Sequence, residues 1–166
     1  MTLHSCGQDP RITVDRSTGL YWLTYCAYGD AQVPPRVPPV CTDTKTKVAV
    51  SKTPEIASSW TRVNRTGDAG FDAKSTALLI RDEPPHFQYT GTGTVLSWQS
   101  EDLLHWTQKE VAIAGRPDEF DPGYCEAGAP PVPLSDGNLL TTYVSACGSH
   151  RLSHNRPERS LHRTRS

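Results

Sequence analysis

Proline and glycine leave this chain little room for a helix. Fourteen prolines and twelve glycines are spread along its 166 residues. Few windows of about 11 residues, the length over which a helical period shows, escape both. Strand signals are common instead: short runs rich in β-branched and aromatic residues, separated by turn residues. Ile12-Thr13-Val14 is followed by the turn-rich Asp15-Arg16-Ser17-Thr18-Gly19 and then by Leu20-Tyr21-Trp22-Leu23-Thr24-Tyr25-Cys26-Ala27-Tyr28, which together read as a hairpin. Further strands are expected over 47–51, 60–63, 76–80, 93–99, 106–113 and 139–146. Short strands at this spacing predict an all-β fold. Two longer irregular stretches, 29–44 and 64–75, are expected as loops, the first proline-rich and the second polar.

The runs also repeat. Val48-Ala49-Val50-Ser51 leads through Pro54-Glu55 to Trp60, and Val95-Leu96-Ser97-Trp98-Gln99-Ser100 leads through Glu101-Asp102 to Trp106, 46 residues later. Thr18-Gly19-Leu20-Tyr21-Trp22-Leu23-Thr24-Tyr25 is echoed by Asp136-Gly137-Asn138-Leu139-Leu140-Thr141-Thr142-Tyr143. A period of roughly 40–50 residues with several strands per unit marks β-propeller blades. A β-sandwich with coincidental similarity is the alternative. Two such units and part of a third are present, whereas a closed propeller needs about four or more. The expected organisation is a partial β-propeller over residues 1–148 and a tail over 149–166. That tail holds five arginines, one glutamate and two leucines, too little apolar surface to offset its ordering entropy, so it is expected to be disordered.

Other classes are excluded more briefly. The net charge is −1, which gives no global attraction to nucleic acid or membranes. No apolar run approaches the length of a membrane-spanning helix. The first ten residues lack a basic region followed by an apolar one, so no secretory signal is expected and a cytoplasmic location is the default. The five cysteines, at 6, 26, 41, 125 and 147, include no C-x-x-C pair, and the six histidines have no ligand spacing. No metal centre is therefore expected. Cys26 and Cys147 are read as buried small hydrophobes. Trp22, Trp60, Trp98 and Trp106 are read as inter-blade core, with Trp98 the first candidate for an exception.

Several motifs, in order along residues 6–147, resemble glycoside hydrolase family 130. Gly7-Gln8-Asp9-Pro10-Arg11 is similar to the family's Glu-Asp-Pro-Arg segment. Val48-Ala49-Val50-Ser51-Lys52 resembles its following strand, and Lys74-Ser75-Thr76-Ala77-Leu78-Leu79 its lysine segment. Ser100-Glu101-Asp102-Leu103-Leu104-His105-Trp106 resembles its S-x-D-L-x-x-W turn, and Glu126-Ala127-Gly128-Ala129-Pro130-Pro131 its x-x-G-x-P-P segment. The resemblance implies a five-bladed β-propeller, here partial, and a carbohydrate-active enzyme cleaving β-linked mannosides or related oligosaccharides. Hydrolysis and phosphorolysis both stay open; inorganic phosphate is the co-substrate of the second, and no cofactor is expected. The chain departs from the family's pattern at Gln8, where glutamate is usual. At Lys47 an arginine is expected. Pro84-Pro85-His86-Phe87 stands where phosphorylases carry His-Arg-Pro.

Glycosidic cleavage needs two acid/base functions flanking the bond. Asp9, at a strand start that would face a propeller's central funnel, is the first candidate, and the resemblance makes it the proton donor. Glu126, just before the Gly-x-Pro-Pro segment, is the second, as a water-activating base. Arg11 lies two residues past Asp9, on the same side of an extended strand, and could hold its carboxylate or bind phosphate or a sugar hydroxyl. Lys47 and Lys74 are candidates for phosphate or hydroxyls, Tyr28 and Asp30 for the sugar. The expected partner is an oligosaccharide, with self-association through exposed blade edges; no nucleic acid or membrane is expected. A non-catalytic carbohydrate-binding or protein-interaction propeller is the alternative.

Overall fold

The computed structural model describes residues 7–28, 44–63, 66–67, 74–91, 93–119 and 121–146. The proline-rich 29–43, the basic tail and Cys6, Cys41 and Cys147 lie outside these residues. Apart from one 3-10 turn at Ala57–Ser59, the described elements are all strands.

The first sheet is a four-stranded antiparallel meander, β1 (Gly7–Asp15), β2 (Leu20–Tyr28), β3 (Thr44–Ser51) and β4 (Thr61–Val63). The second has the same meander: β6 (Ala77–Leu79), β7 (His86–Thr90), β8 (Val95–Ser100) and β9 (His105–Ile113). Its outer edge is closed by β5 (Thr66–Gly67), which runs parallel to β9 straight after the first sheet. Then come β10 (Tyr124–Ala127), paired with β13 (Tyr143–Ala146), and β11 (Val132–Pro133), paired with β12 (Leu139–Leu140). These are two blades of a β-propeller and the inner half of a third. The inner strands are β1, β6 and β10 with β11.

Polar side chains set the turns. Asp15 closes the first hairpin: its Oδ1 accepts from Ser17 N–H at 2.9 Å and Ser17 Oγ at 2.7 Å, and its Oδ2 accepts from Thr18 Oγ1 at 2.5 Å. Gly19, at φ +69°, supplies the left-handed residue. In the second blade Asp102 Oδ1 accepts from Leu104 N–H at 2.9 Å and His105 N–H at 2.8 Å. That turn holds Leu103 at φ 64°, a conformation unfavourable for leucine by about 1–2 kcal/mol. Leu103 is nonetheless buried, and its carbonyl accepts the Trp106 indole N–H at 3.1 Å. The S-x-D-L-x-x-W motif is thus a turn that drives a leucine and a tryptophan into the core.

The blades meet through two apolar clusters. Trp22 and Val48 of the first pack on Leu78, Trp98, Leu103 and Trp106 of the second. Ala77 and Val95 of the second pack on Cys125 and Ala127 of the third. Trp98 is core like Trp22 and Trp106, so the exception anticipated for it does not occur. Trp60 does depart from the expectation: it is half-buried, outside both clusters, and its indole N–H bonds Pro54 O at 3.2 Å within its own loop. A hydroxyl relay crosses the same boundary. Thr46 Oγ1 lies 2.6 Å from Thr76 Oγ1, which donates to Thr90 Oγ1 at 2.9 Å, which donates to Lys74 O at 3.0 Å. Thr24 Oγ1 donates to Thr76 O at 2.7 Å. These buried threonines are satisfied by one another and by backbone, so hydrogen bonds offset the desolvation cost of burying them.

Exposed apolar side chains include Ile12 and Val14 of β1 and Val132, Leu139, Leu140 and Val144 of the third blade. A groove of about 790 Å³ follows the inner strands past Ile12, Val14, Leu78, Ile80 and Pro130–Pro133.

The four turn and loop carboxylates make acid stability predictable. At Asp15 burial opposes ionisation, yet the bonds from Thr18 and Ser17 outweigh it. Bonds from His105 and Leu104 hold Asp102 well below the ordinary aspartate value of 3.8. Arg116 and Tyr143 lower Asp121, and Asn138 lowers Asp136. With folded values below 3.8, these groups stay ionised in the fold where the unfolded chain takes up protons. Stability is therefore expected to be flat between about pH 5 and neutrality and to fall progressively below about pH 4. Thermal unfolding from pH 7 to pH 2 checks this; a melting temperature that holds or rises below pH 4 contradicts it.

Candidate active site

The starts of the three inner strands converge. On β1 the pairing with β2 jumps from Gln8↔Cys26 to Arg11↔Thr24, so Asp9 and Pro10 form a bulge opposite Tyr25. A residue before proline is expected to be extended. Asp9 instead has φ 52°, in the left-handed region that aspartate tolerates better than most residues. The bulge overrides the local preference because it re-aims the side chain out of the ladder.

The Asp9 carboxylate faces Cys26. Cys26 Sγ donates to Asp9 Oδ2 at 3.7 Å and accepts from the Ser75 N–H at 3.2 Å. Burial pushes the Cys26 thiol up, so it carries its proton at neutral pH. Ser75 is buried at φ 59°, and its Oγ donates to Glu126 Oε2 at 3.2 Å. Tyr124 OH donates to Glu126 Oε1. One chain of polar contacts, Asp9–Cys26–Ser75–Glu126–Tyr124, thus runs through all three blades and links both candidate carboxylates.

Arg11 is placed differently from its expected role. The bulge breaks strand alternation between Asp9 and Arg11, and the guanidinium turns to main-chain oxygens. Nη1 donates to Asp9 O at 2.9 Å, Nη2 to Ala127 O at 2.7 Å, and Nε to Gly128 O. It clasps the first inner strand to the third. Gly128 is required there, because a Cβ would lie 2.5 Å from Thr142 Oγ1 and 2.7 Å from Thr142 O.

Lys74 is half-buried next to Ser75, and its carbonyl accepts from Gly91 N–H at 3.2 Å as well as from Thr90. Lys47 is exposed on β3, opposite Tyr25, and takes no part in the carboxylate chain. Tyr28 ends β2 opposite Thr44, with its side chain outside the described residues; Asp30 lies wholly outside them. None of the groove-lining residues belongs to the carboxylate chain.

Three participants were not singled out from sequence. The local sequence marks Cys26 only as a buried small residue and carries no signal for the contacts of Ser75 or Tyr124. Asp121 is 1 % exposed. It accepts from Arg116 Nε at 2.9 Å and Tyr143 OH at 2.5 Å, pinning the loop after β9 to β13. Among the described residues no group of His, Cys, Asp and Glu could hold a metal ion, and no helix is long and apolar enough to cross a membrane.

No protein-family profile and no curated protein matches the sequence. Solved structures do match. One is from glycoside hydrolase family 130, a family of mannoside phosphorylases that contains glycoside hydrolases targeting β-1,2 mannosidic linkages in Candida mannan. It is 22 % identical, with a TM-score of 0.65 over 86 % of this chain and 42 % of that one. The chain has the fold of family 130. A glycosyl hydrolase from Bacteroides ovatus gives 23 % identity and TM-score 0.65 over 87 % of this chain and 42 % of its own. A structure from Bacteroides thetaiotaomicron gives 21 % and 0.67 over 86 % and 43 %. The chain thus spans about 42 % of the length of the family 130 structure it matches.

Proposed function

We propose that this chain carries the acid/base face of a carbohydrate-active enzyme that cleaves β-linked mannosides or related oligosaccharides by hydrolysis. The observation that carries the reading is the linking of Asp9 and Glu126, from the first and third blades, in one chain of hydrogen bonds. Asp9 serves as proton donor to the leaving oxygen. Glu126, held by Ser75 and Tyr124, activates water on the opposite side of the bond. Lys74 stands beside Ser75, where it can meet a sugar hydroxyl.

Arg11 favours hydrolysis over phosphorolysis. Phosphate recognition draws on arginine's paired donors. Here Nε, Nη1 and Nη2 are each directed at a main-chain carbonyl. Product release from β-linked mannose oligosaccharides, with and without inorganic phosphate, tests the reading. Release without phosphate is expected. Release only with phosphate replaces hydrolysis by phosphorolysis, and no release from a folded sample overturns the enzymatic reading in favour of carbohydrate binding.

A further inference from the structure

We infer that Cys26 is a positioning residue of this site: its thiol, held by the Ser75 N–H, fixes the Asp9 carboxylate relative to Glu126. The inference rests on the proposed role of Asp9 for its catalytic consequence, though not for the contact itself.

The geometry is specific to this cysteine. Cys26 is 1 % exposed and sits on β2 opposite Gln8, at the residue pair where the β1 bulge begins. A bulged residue in the left-handed region has no ladder bonds to fix its side chain, so its aim depends on what the side chain meets. Among the described residues the side-chain partner of Asp9 is the Cys26 thiol, at 3.7 Å. The sulfur is itself fixed, because it accepts the Ser75 N–H at 3.2 Å. Donating into the sulfur polarises the S–H toward the carboxylate, so the two bonds reinforce each other. Ser75 Oγ then reaches Glu126 at 3.2 Å. One sulfur therefore sets the spacing between a carboxylate on the first blade and one on the third. The charged and titratable groups around it are Asp9 and Arg11 from β1, Lys74 beside Ser75, and Glu126 from β10.

Cys125 provides an internal control. It is as deeply buried, but packs among Ala77, Val95 and Ala127. Two cysteines of similar burial thus have different surroundings, and only Cys26 faces a carboxylate.

The S–H stretching region of the infrared spectrum of the full chain tests the contact directly. Subtracting the Cys26→Ser spectrum identifies the Cys26 band. Asparagine is a weaker acceptor than aspartate, so Asp9→Asn is expected to move that band to higher wavenumber and leave the Cys125 band, identified with Cys125→Ala, in place. If Cys26→Ser does not fold, the comparison of wild type with Asp9→Asn still decides: one displaced S–H band supports the inference, and none overturns it.

Kinetics test the consequence. Cys26→Ala is expected to lower kcat about tenfold with KM changed less than about twofold, the pattern of a misaimed catalytic group. Cys26→Ser, which keeps a donor, should recover most of the loss. In an Asp9→Asn background Cys26→Ala should cost nothing more. Equal losses in both backgrounds overturn the inference. If Asp9→Asn leaves turnover intact while the band moves, the contact stands and the proton-donor reading fails. If turnover is lost and the band stays, the proton-donor reading stands and the role of Cys26 fails.

Discussion

Trp98→Ala is expected to destabilise the chain by about 3–5 kcal/mol, the range for removing a buried tryptophan. Trp98 is 3 % exposed and stands in the cluster that joins the first two blades, against Trp22, Val48, Leu78, Leu103 and Trp106. A domain's whole stability is only about 5–15 kcal/mol. The loss is therefore enough to leave much of the population unfolded. A urea titration followed by circular dichroism reads it as a lowered midpoint. A contrast makes the prediction sharper. The Trp98 indole N–H has no hydrogen-bond partner among the described residues. Trp98→Phe therefore breaks no hydrogen bond and should cost far less. Trp106→Phe, by comparison, also breaks the bond to Leu103 O that supports a left-handed leucine. It should cost more than Trp98→Phe; equal costs would show that the bond contributes nothing.

On the proposed mechanism, Asp9→Asn is expected to lower turnover by about 10²–10⁴-fold, the usual contribution of a positioned general acid. The backbone should be undisturbed, because asparagine tolerates the φ of 52° that this position requires. KM should move little, since the amide keeps the size and polarity of the side chain. Glu126→Gln should fall in the same range. Ser75→Ala should do less, because Tyr124 still holds the other carboxylate oxygen. A folded Asp9→Asn chain retaining more than a tenth of wild-type turnover would remove Asp9 from the role of proton donor.

Much of the architecture was legible before the structure. β2 runs Leu20–Tyr28, the aromatic-rich stretch expected as a strand. The repeated serine–acid–tryptophan pattern corresponds to the ends of β3 and β8, the third strands of successive blades. The missed strands show no readable hydropathy period, for different reasons. β7 buries His86, Gln88 and Thr90 and leaves Phe87 and Tyr89 partly exposed, so its alternation runs against hydropathy. β10 is four residues long, too short to show a period. At the site, Asp9 and Glu126 were legible as residue types at strand starts. The bulge under Asp9 was not, because pairing with β2 overrides the proline that follows. The destination of Arg11 was not legible either, since its acceptors lie 116 and 117 residues away. Cys26 could be read as buried, but nothing local signals that it faces a carboxylate.

The Arg11 clasp has a consequence for how this site comes into being. Its two distant acceptors belong to the last blade of the described chain, and the Ser75–Glu126 bond spans 51 residues. No two-blade intermediate, on a ribosome or in refolding, contains both carboxylates in register. The order of assembly therefore runs from scaffold to chemistry: the first two blades can close on their tryptophans while the site is still absent. Docking of a third blade that has only paired, short strands then completes it. The described strands of that blade, two to four residues long, are expected to open before the longer strands in native-state fluctuations. Catalytic competence is therefore expected to melt before the fold does.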